Sequence, residues 1–255
     1  MLDHLVINTL FGMEAAAAQF NQLGFQLTPR GHHSLGSINH LMVDPASYLE
    51  LVGVPASGTQ RQEVLDSPKG LSGLVFRTDD AEATYAHLIA VGFAPQEPIL
   101  LERPVNIGGT SRKAQFRNVR MTAAEFPAGR VYFCQHLTPD LVWRDDWMAH
   151  PNGFHDIGAI TIADPDPEAE AARYAALTGG RADGVSVTAE GLALTLCEGA
   201  TPAFASAELL FDDVDDIAAR AAQMEGAEWR WTGAGTGVLT IPALAVTLEC
   251  CSATH

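Results

Sequence analysis

The sequence contains few basic residues and no long apolar run, and both shortages exclude whole classes of function. Fifteen lysines and arginines stand against 31 aspartates and glutamates, which gives a formal net charge of −16. A chain this acidic repels phosphate backbones and anionic lipids, so we expect neither nucleic acid nor a membrane as a partner. No stretch approaches the roughly 20 apolar residues that a membrane-spanning helix needs. The first residues lack the basic segment of a signal peptide, so we expect none.

Cysteine is also scarce. The four cysteines are Cys134, Cys197, Cys250 and Cys251; they lack CxxC spacing, and each lies in a hydrophobic run. This pattern indicates buried, free thiols in a reducing compartment and predicts a cytoplasmic protein. The sequence also lacks a GxSxG motif, a P-loop and a dinucleotide-binding fingerprint, so we expect no organic cofactor.

Hydrophobic residues make up 47% of the 255 positions, which indicates a packed core. Four segments, beginning near residues 2, 71, 157 and 207, each start with an apolar strand that leads into an Ala-rich helix. Two such segments would pair, because one curved sheet with one helix cannot bury its own apolar face. The sequence therefore predicts an α+β fold of tandem βαβββ modules, paired into curved mixed sheets in two domains, residues 1–140 and 150–255.

Some details of this scheme can be stated in advance. Residues 25–27 are expected to form a short strand, and either Asp79 or Asp80 is expected to cap the second helix. The second half is shorter than the first, so we expect it to contain a trimmed, degenerate copy. Its last strand, residues 245–250, repeats the pattern of residues 47–51, which is the best internal sign of a duplication.

Two polar side chains interrupt apolar strands of the first module. His4 lies in the strand at residues 2–7, and Glu50 lies in the strand at residues 48–52. A buried strand has no need of an imidazole or a carboxylate, and a lone buried charge is costly. Because the two residues belong to the first and last strands of one βαβββ unit, we predict that they face a shared cavity.

This arrangement, together with the runs at residues 31–39 and 133–139, resembles the vicinal oxygen chelate superfamily. That superfamily includes glyoxalases, extradiol dioxygenases, epimerases and resistance proteins. More narrowly, residues 1–150 look like the glyoxalase-like domain family. The resemblance implies a divalent metal in the cup of the curved sheet, chelating two neighbouring oxygens of a substrate. It also implies a homodimer, because members of the superfamily often pair their cups.

The metal ligands that the resemblance implies are His4 and Glu50, whose nitrogen and oxygen donors suit Zn²⁺, Ni²⁺, Mn²⁺ or Fe²⁺. The superfamily normally adds donors from the partner module, where this chain is expected to have Gly73 and Gln135. His136 would complete the set if a bulge turned it inward, since strict alternation puts it opposite Gln135. The alternative is a metal-free cup in which His4 and Glu50 bind each other or a ligand. The second half, with Ala159 and Glu208 where His donors would be expected, is predicted to be structural.

Four residues are candidates for substrate binding. His33 and Asn39 lie in a Gly-containing loop that can approach a ligand, although both could instead hold the loop's backbone. Gln135 could orient a carbonyl group or form a cross-strand hydrogen bond. Arg144 could meet an acidic group of the substrate or pair with Asp145 or Asp146.

Two functions remain open at this point. In the first, the protein is a lyase or isomerase acting on a small oxygenated metabolite. Glu50 would move a proton next to a carbonyl group, and a metal would stabilise the enediolate charge. Glu50 would have to leave the metal during turnover, because a bound carboxylate is a weak base. In the second, the protein is a metal-free module that binds or sequesters a small molecule.

Overall fold

A computed structural model describes residues 1–252 and contains two eight-stranded mixed sheets. The first sheet has the strand order β2-β3-β4-β1-β5-β8-β7-β6. Its strands are β1 (Leu2–Leu10), β2 (Gly31–His32), β3 (Ile38–Val43), β4 (Tyr48–Gly53), β5 (Gly70–Arg77), β6 (Ile99–Ile107), β7 (Thr110–Arg120) and β8 (Arg130–His136). The central strands β1 and β5 are antiparallel, and each has a parallel neighbour, β4 and β8 respectively.

The second sheet repeats this topology with the order β10-β11-β12-β9-β13-β16-β15-β14. Its strands are β9 (Phe154–Asp164), β10 (Arg181–Asp183), β11 (Ser186–Ala189), β12 (Leu192–Glu198), β13 (Ala203–Phe211), β14 (Glu228–Gly233), β15 (Thr236–Ile241) and β16 (Val246–Ser252). The predicted α+β fold of paired βαβββ modules is therefore confirmed. The second half is trimmed only in the length of some strands, since β14 and β15 have six residues each where β6 and β7 have nine and eleven; all eight strands are present.

Six α-helices accompany the sheets: α1 (Met13–Gln22), α2 (Gln62–Leu65), α3 (Ala81–Ala90), α4 (Asp145–Met148), α5 (Pro167–Thr178) and α6 (Val214–Ala222). The longer helices α1, α3, α5 and α6 each follow the first strand of a module. Three of them begin at an aspartate side chain that accepts hydrogen bonds from the first turn, at Asp80, Asp166 and Asp213. No helix in residues 1–252 has the length and apolarity needed to cross a membrane.

The helix-facing sides of both sheets share one hydrophobic core, which runs from Leu2 to Cys250. At its centre the ring of Phe25 lies 5.3 Å from that of Phe154 and 6.0 Å from that of Phe211. Both sheets thus bury their apolar faces against common side chains. The strands of each sheet fall within one of the two predicted ranges, and the division into domains itself stays a prediction.

The segment that joins the two sheets is fixed to the first half. His150 accepts a hydrogen bond from the amide of Gln26 and donates one to the carbonyl of Val43. This contact also explains why the strand predicted at residues 25–27 is absent: the backbone there binds a side chain rather than a neighbouring strand.

Candidate functional site

The face of the first sheet opposite helices α1 and α3 forms a cavity, which we call the cup. The cup holds about 480 Å³ of space, part of it open to solvent, and strands β1, β3, β4, β6, β7 and β8 contribute side chains to its wall. His4 and Glu50 both line it, as do His33 and Asn39. Alternation along β4 explains the selection, since Tyr48 and Glu50 point into the cup while Leu49 and Leu51 belong to the core beneath the helices.

A bulge in β1 brings an unforeseen carboxylate to the site. The pairing of β1 with β5 changes register between Leu2 and His4, so Asp3 lies at an irregularity of the strand. The Asp3 carboxylate accepts a hydrogen bond from His4 Nδ1 at 2.6 Å. With its proton held at Nδ1, the imidazole presents Nε2 to the cup, where it accepts a hydrogen bond from the Tyr132 hydroxyl at 3.0 Å and lies 3.7 Å from Glu50 Oε2.

Asp3 is fully buried and serves several partners. Besides His4, it contacts His136 Nε2 at 3.1 Å and Arg77 Nε at 3.4 Å. Burial alone would raise the pKa of Asp3, but the hydrogen bonds from His136 and His4 outweigh it and hold that pKa well below its ordinary value. Asp3 is therefore ionised and orients the His4 ring.

Glu50 is held on one side only. Its Oε1 accepts a hydrogen bond from Asn39 Nδ2 at 2.6 Å, whereas Oε2 faces His4. Glu50 is buried, so few water molecules compete for these oxygens. The arrangement leaves one carboxylate oxygen and one imidazole nitrogen side by side at the floor of the cup, which suits proton transfer to and from a bound molecule.

The predicted metal centre of His4, Glu50 and His136 is not assembled in this way. His136 needs no bulge to reach the cup side of β8, but its Nε2 is bound to Asp3 rather than directed at Glu50. In the second module Gly73 occupies the position that His4 has in the first. Tyr132 occupies the position of Glu50, because Val75 pairs with Tyr132 in the same way that Val6 pairs with Glu50. Within residues 1–252 the donors of His4 and Glu50 thus have no third His, Cys, Asp or Glu grouped with them.

One other group of ligand-type atoms lies nearby. Atoms of Asp3, Cys134 and His136 all lie within 4.8 Å of one another. The carboxylate of Asp3 is already shared by two imidazoles, and burial raises the pKa of the Cys134 thiol. A metal bound here would have to displace those hydrogen bonds and the thiol proton. A divalent ion needs at least three protein ligands for firm binding. His4 and Glu50 are too few, so the centre that the resemblance implies is not complete, whereas Asp3, Cys134 and His136 are a possible metal site next to the cup.

Two candidate substrate-binding residues lie outside the cup: the expectation that Gln135 faces it was wrong, and Arg144 follows the other alternative, pairing with an aspartate. Gln135 faces helix α3, where its side chain accepts a hydrogen bond from the Ala81 amide and donates one to the Asp79 carbonyl. The sequence alignment matched Gln135 with Glu50, but the strand pairing matches Tyr132 with Glu50, and Gln135 therefore lies on the opposite face of β8. Arg144 pairs with Asp146 at 3.0 Å and stacks on Trp147 instead of reaching the cavity.

The structure adds cup residues that the sequence analysis missed, namely Asp3, Tyr48, Arg103, Asn118, Arg130 and Tyr132. Strict alternation along β8 would have found two of them, because Arg130, Tyr132 and Cys134 share a face. No comparable signal marks Asp3, whose position depends on the bulge. Arg103 comes from the distant strand β6, which only the tertiary fold brings over the site.

Comparisons with known proteins agree with this architecture. The sequence profile of a family described as glyoxalase-like domain matches residues 2–178. No curated protein sequence matches the chain.

Solved structures with a similar fold include a hypothetical protein from Staphylococcus aureus, with a TM-score of 0.69 and 13% identity over 99% of both chains. They also include a mutant of 4-hydroxymandelate synthase from Streptomyces coelicolor, with a TM-score of 0.60, 13% identity, and coverage of 98% of this chain and 92% of that one. A third is a xylose isomerase-like TIM barrel/4-hydroxyphenylpyruvate dioxygenase fusion protein, with a TM-score of 0.62 and 13% identity. The match covers 98% of this chain and 48% of that one. At this identity the likeness concerns the fold alone.

Proposed function

This chain belongs to the glyoxalase-like domain family of the vicinal oxygen chelate superfamily, and we propose that its cup catalyses a lyase or isomerase reaction on a small oxygenated metabolite by proton transfer. One observation carries the proposal. His4, oriented by Asp3, places Nε2 3.7 Å from Glu50 Oε2 in the wall of the cup.

Each side chain has a definite part in this reaction. The free Oε2 of Glu50 takes the proton from a carbon next to a carbonyl group of the substrate, and Asn39 holds the other carboxylate oxygen in place. Burial raises the pKa of Tyr132, so its hydroxyl stays protonated. When a substrate binds, this O–H turns from His4 Nε2 to the carbonyl oxygen and donates a hydrogen bond there as negative charge develops. Nε2 of His4, which carries no proton, takes the proton of the substrate's neighbouring hydroxyl group and passes it to that oxygen, and Glu50 returns its own proton to the adjacent carbon. No step is assigned to a metal, because the donor set does not complete a metal centre.

The test is hydrogen exchange at carbon. Wild-type protein is incubated in deuterated water with a panel of small hydroxyaldehydes, hydroxyketones and oxoacids, and proton NMR follows the loss of the carbon-bound signal. We expect exchange with at least one compound and a decrease of roughly 100-fold or more in Glu50→Gln, in line with the contribution of a general base. Glu249→Gln is the matched control, since Glu249 lies on β16 of the second sheet and binds Ser206. Exchange by Glu50→Gln at the wild-type rate would overturn the mechanism.

A metal-free binding module is the second candidate, and the incomplete donor set of His4 and Glu50 favours it. Native mass spectrometry of the purified protein would then reveal a bound organic molecule, and no compound of the panel would exchange its protons. For either function we propose a cytoplasmic setting, which the four free cysteines support.

A further inference from the structure

Two arginines of the cup have no acidic partner. Arg103 on β6 is only 3% exposed, and its Nη2 makes no hydrogen bond within residues 1–252. Arg130 on β8 has two buried nitrogens, Nε and Nη2, that are equally unpaired in the described chain. Neither guanidinium forms an ion pair with a carboxylate of residues 1–252. The other charged groups at this end of the molecule are paired: Arg61 and Arg120 both bind Glu63.

Such an arrangement is unfavourable in the empty protein. A guanidinium keeps its charge in proteins, and burying that charge without a partner costs several kcal/mol. Burial lowers the pKa of both Arg103 and Arg130, because removal from water disfavours the charged form of each side chain. Glu50 attracts both guanidinium charges, but its oxygens are directed at Asn39 and His4. Glu63 also attracts Arg130, but it is bound by Arg61 and Arg120. The missing partner is therefore an anion that comes with the ligand.

The backbone makes room for one of these arginines. A Cβ atom at Gly31 would lie 3.1 Å from Cδ of Arg103 and 2.1 Å from Oδ1 of Asn39, so only glycine allows both side chains to pass β2. Arg130 lies where the cup meets a second, larger cavity of about 910 Å³, and both cavities share Arg61, Arg130 and Tyr132 in their walls. An anion entering from that side would meet Arg130 before it reached Glu50.

The neutral polar groups of the cup indicate what accompanies the anion. Oδ1 of Asn118 and Nδ1 of His33 are buried and unpaired in residues 1–252. Burial lowers the pKa of His33 to about 4, so the ring is neutral at pH 7 and offers a hydrogen-bonding nitrogen rather than a charge. An amide oxygen needs a donor such as a hydroxyl group. A phosphate would present further acceptors to Asn118 and to Glu50, whereas a carboxylate with a nearby hydroxyl group matches both kinds of partner.

We propose that the cup binds a small hydroxycarboxylate, with its carboxylate held by Arg103 and Arg130 and its hydroxyl group directed at Asn118 and His33. This inference rests on the proposed function, since it names the substrate class of the same cavity: the substrate itself adds a carbonyl group, and the hydroxycarboxylates tested below are its unreactive analogues. It assigns to the two arginines a role in specificity, because a neutral analogue would leave both charges buried and unpaired.

Binding, not turnover, tests the proposal. Thermal shift and calorimetry are carried out on Glu50→Gln protein with glycolate, glycerate, malate and gluconate. The probes for comparison are the uncharged glycerol and glucose and inorganic phosphate. We expect at least one hydroxycarboxylate to bind and its uncharged counterpart not to bind. Arg103→Met and Arg130→Met should each weaken that binding by 10-fold or more, whereas Arg112→Met, which removes an exposed arginine paired with Asp140, should leave it unchanged.

A second readout separates recognition from a structural role. Arg103→Met should be as stable as wild type or more stable without ligand, because it removes an unpaired buried charge. Failure of every hydroxycarboxylate to bind, equal binding of phosphate, or unchanged affinity in both arginine variants would overturn the proposal. If hydroxycarboxylates bind but no compound of the panel exchanges protons in the wild type, the proposed catalysis fails and this inference stands. If a neutral carbonyl compound exchanges its protons, and exchanges them equally fast in the arginine variants, the proposed catalysis stands and this inference fails.

Discussion

The neighbouring residues Asp3 and His4 show how one irregularity in a strand determines the chemistry of a site. In a regular strand their side chains would point to opposite faces, and Asp3 would be a carboxylate among the apolar side chains of the core. The bulge in β1 lets the carboxylate contact the His4 ring instead. It therefore satisfies a buried charge and fixes which imidazole nitrogen faces Glu50.

At the same scale, His33 predicts how stability depends on pH. Burial lowers its pKa to about 4, while the unfolded chain has the ordinary value of about 6.5. Between these values the unfolded state binds a proton that the folded state does not, so the free energy of unfolding decreases as the pH falls from about 6.5 to about 4. Relative to His33→Gln, wild type should lose on the order of 2–3 kcal/mol over this window. Urea unfolding at several pH values measures the difference.

The exposed neighbour His32 supplies the control for that experiment. His32→Gln should follow the wild-type pH dependence, because its side chain is exposed rather than enclosed in the cup. A wild-type curve parallel to that of His33→Gln would show that His33 is not protected from protonation.

At the scale of elements, helix α3 separates two adjacent aspartates that the sequence left as alternatives. Oδ1 of Asp80 accepts hydrogen bonds from the amides of Glu82 and Ala83, both at 3.0 Å, whereas the Asp79 side chain caps nothing. We expect Asp80→Ala to lower the free energy of unfolding by about 1 kcal/mol and Asp79→Ala to change it by less than about half of that. Equal losses in denaturant unfolding would contradict this assignment of the cap.

Sequence patterns predict elements well where periodicity is strong and fail where it is weak. The long helices and the strands at His4 and Glu50 follow from apolar spacing, and the match of residues 2–6 with 71–75 relates the two modules. Strands β10 and β11, with three and four residues, are too short to show a period, which is why the second half looked trimmed. The position of Arg103 depends on the strand order of the sheet, and that of Asp3 depends on a bulge. The spacing of residues along the sequence predicts neither.

At the scale of the whole molecule, the two sheets meet at backbone contacts that tolerate no added atom. Gly70, at the start of β5, has φ +93°, and a Cβ there would lie 2.1 Å from the carbonyl oxygen of Ala245 in the second half. Gly92 has nearly the same φ, +96°, but open space around it. Substitutions at Gly92 therefore measure backbone strain alone, whereas substitutions at Gly70 measure the same strain together with the contact between the two halves.

Gly92→Ala should cost about 1 kcal/mol, the usual penalty of a left-handed conformation for alanine. Gly70→Ala should cost that amount and at least about 2 kcal/mol more, as overpacking does, because two backbone segments must move apart. Equilibrium unfolding in urea measures both variants. Equal penalties would mean that the halves are free to shift at this contact.

The sheet order has a consequence for any shortened form of the chain. The family profile ends at residue 178, after β9 and α5, yet β9 is the central strand whose neighbours β12 and β13 come later in the sequence. A polypeptide cut there would keep an 11-residue strand with both edges bare and with its share of the common core exposed to water. Bare edges recruit strands from other molecules, so such a fragment should aggregate rather than fold as a minimal stable unit.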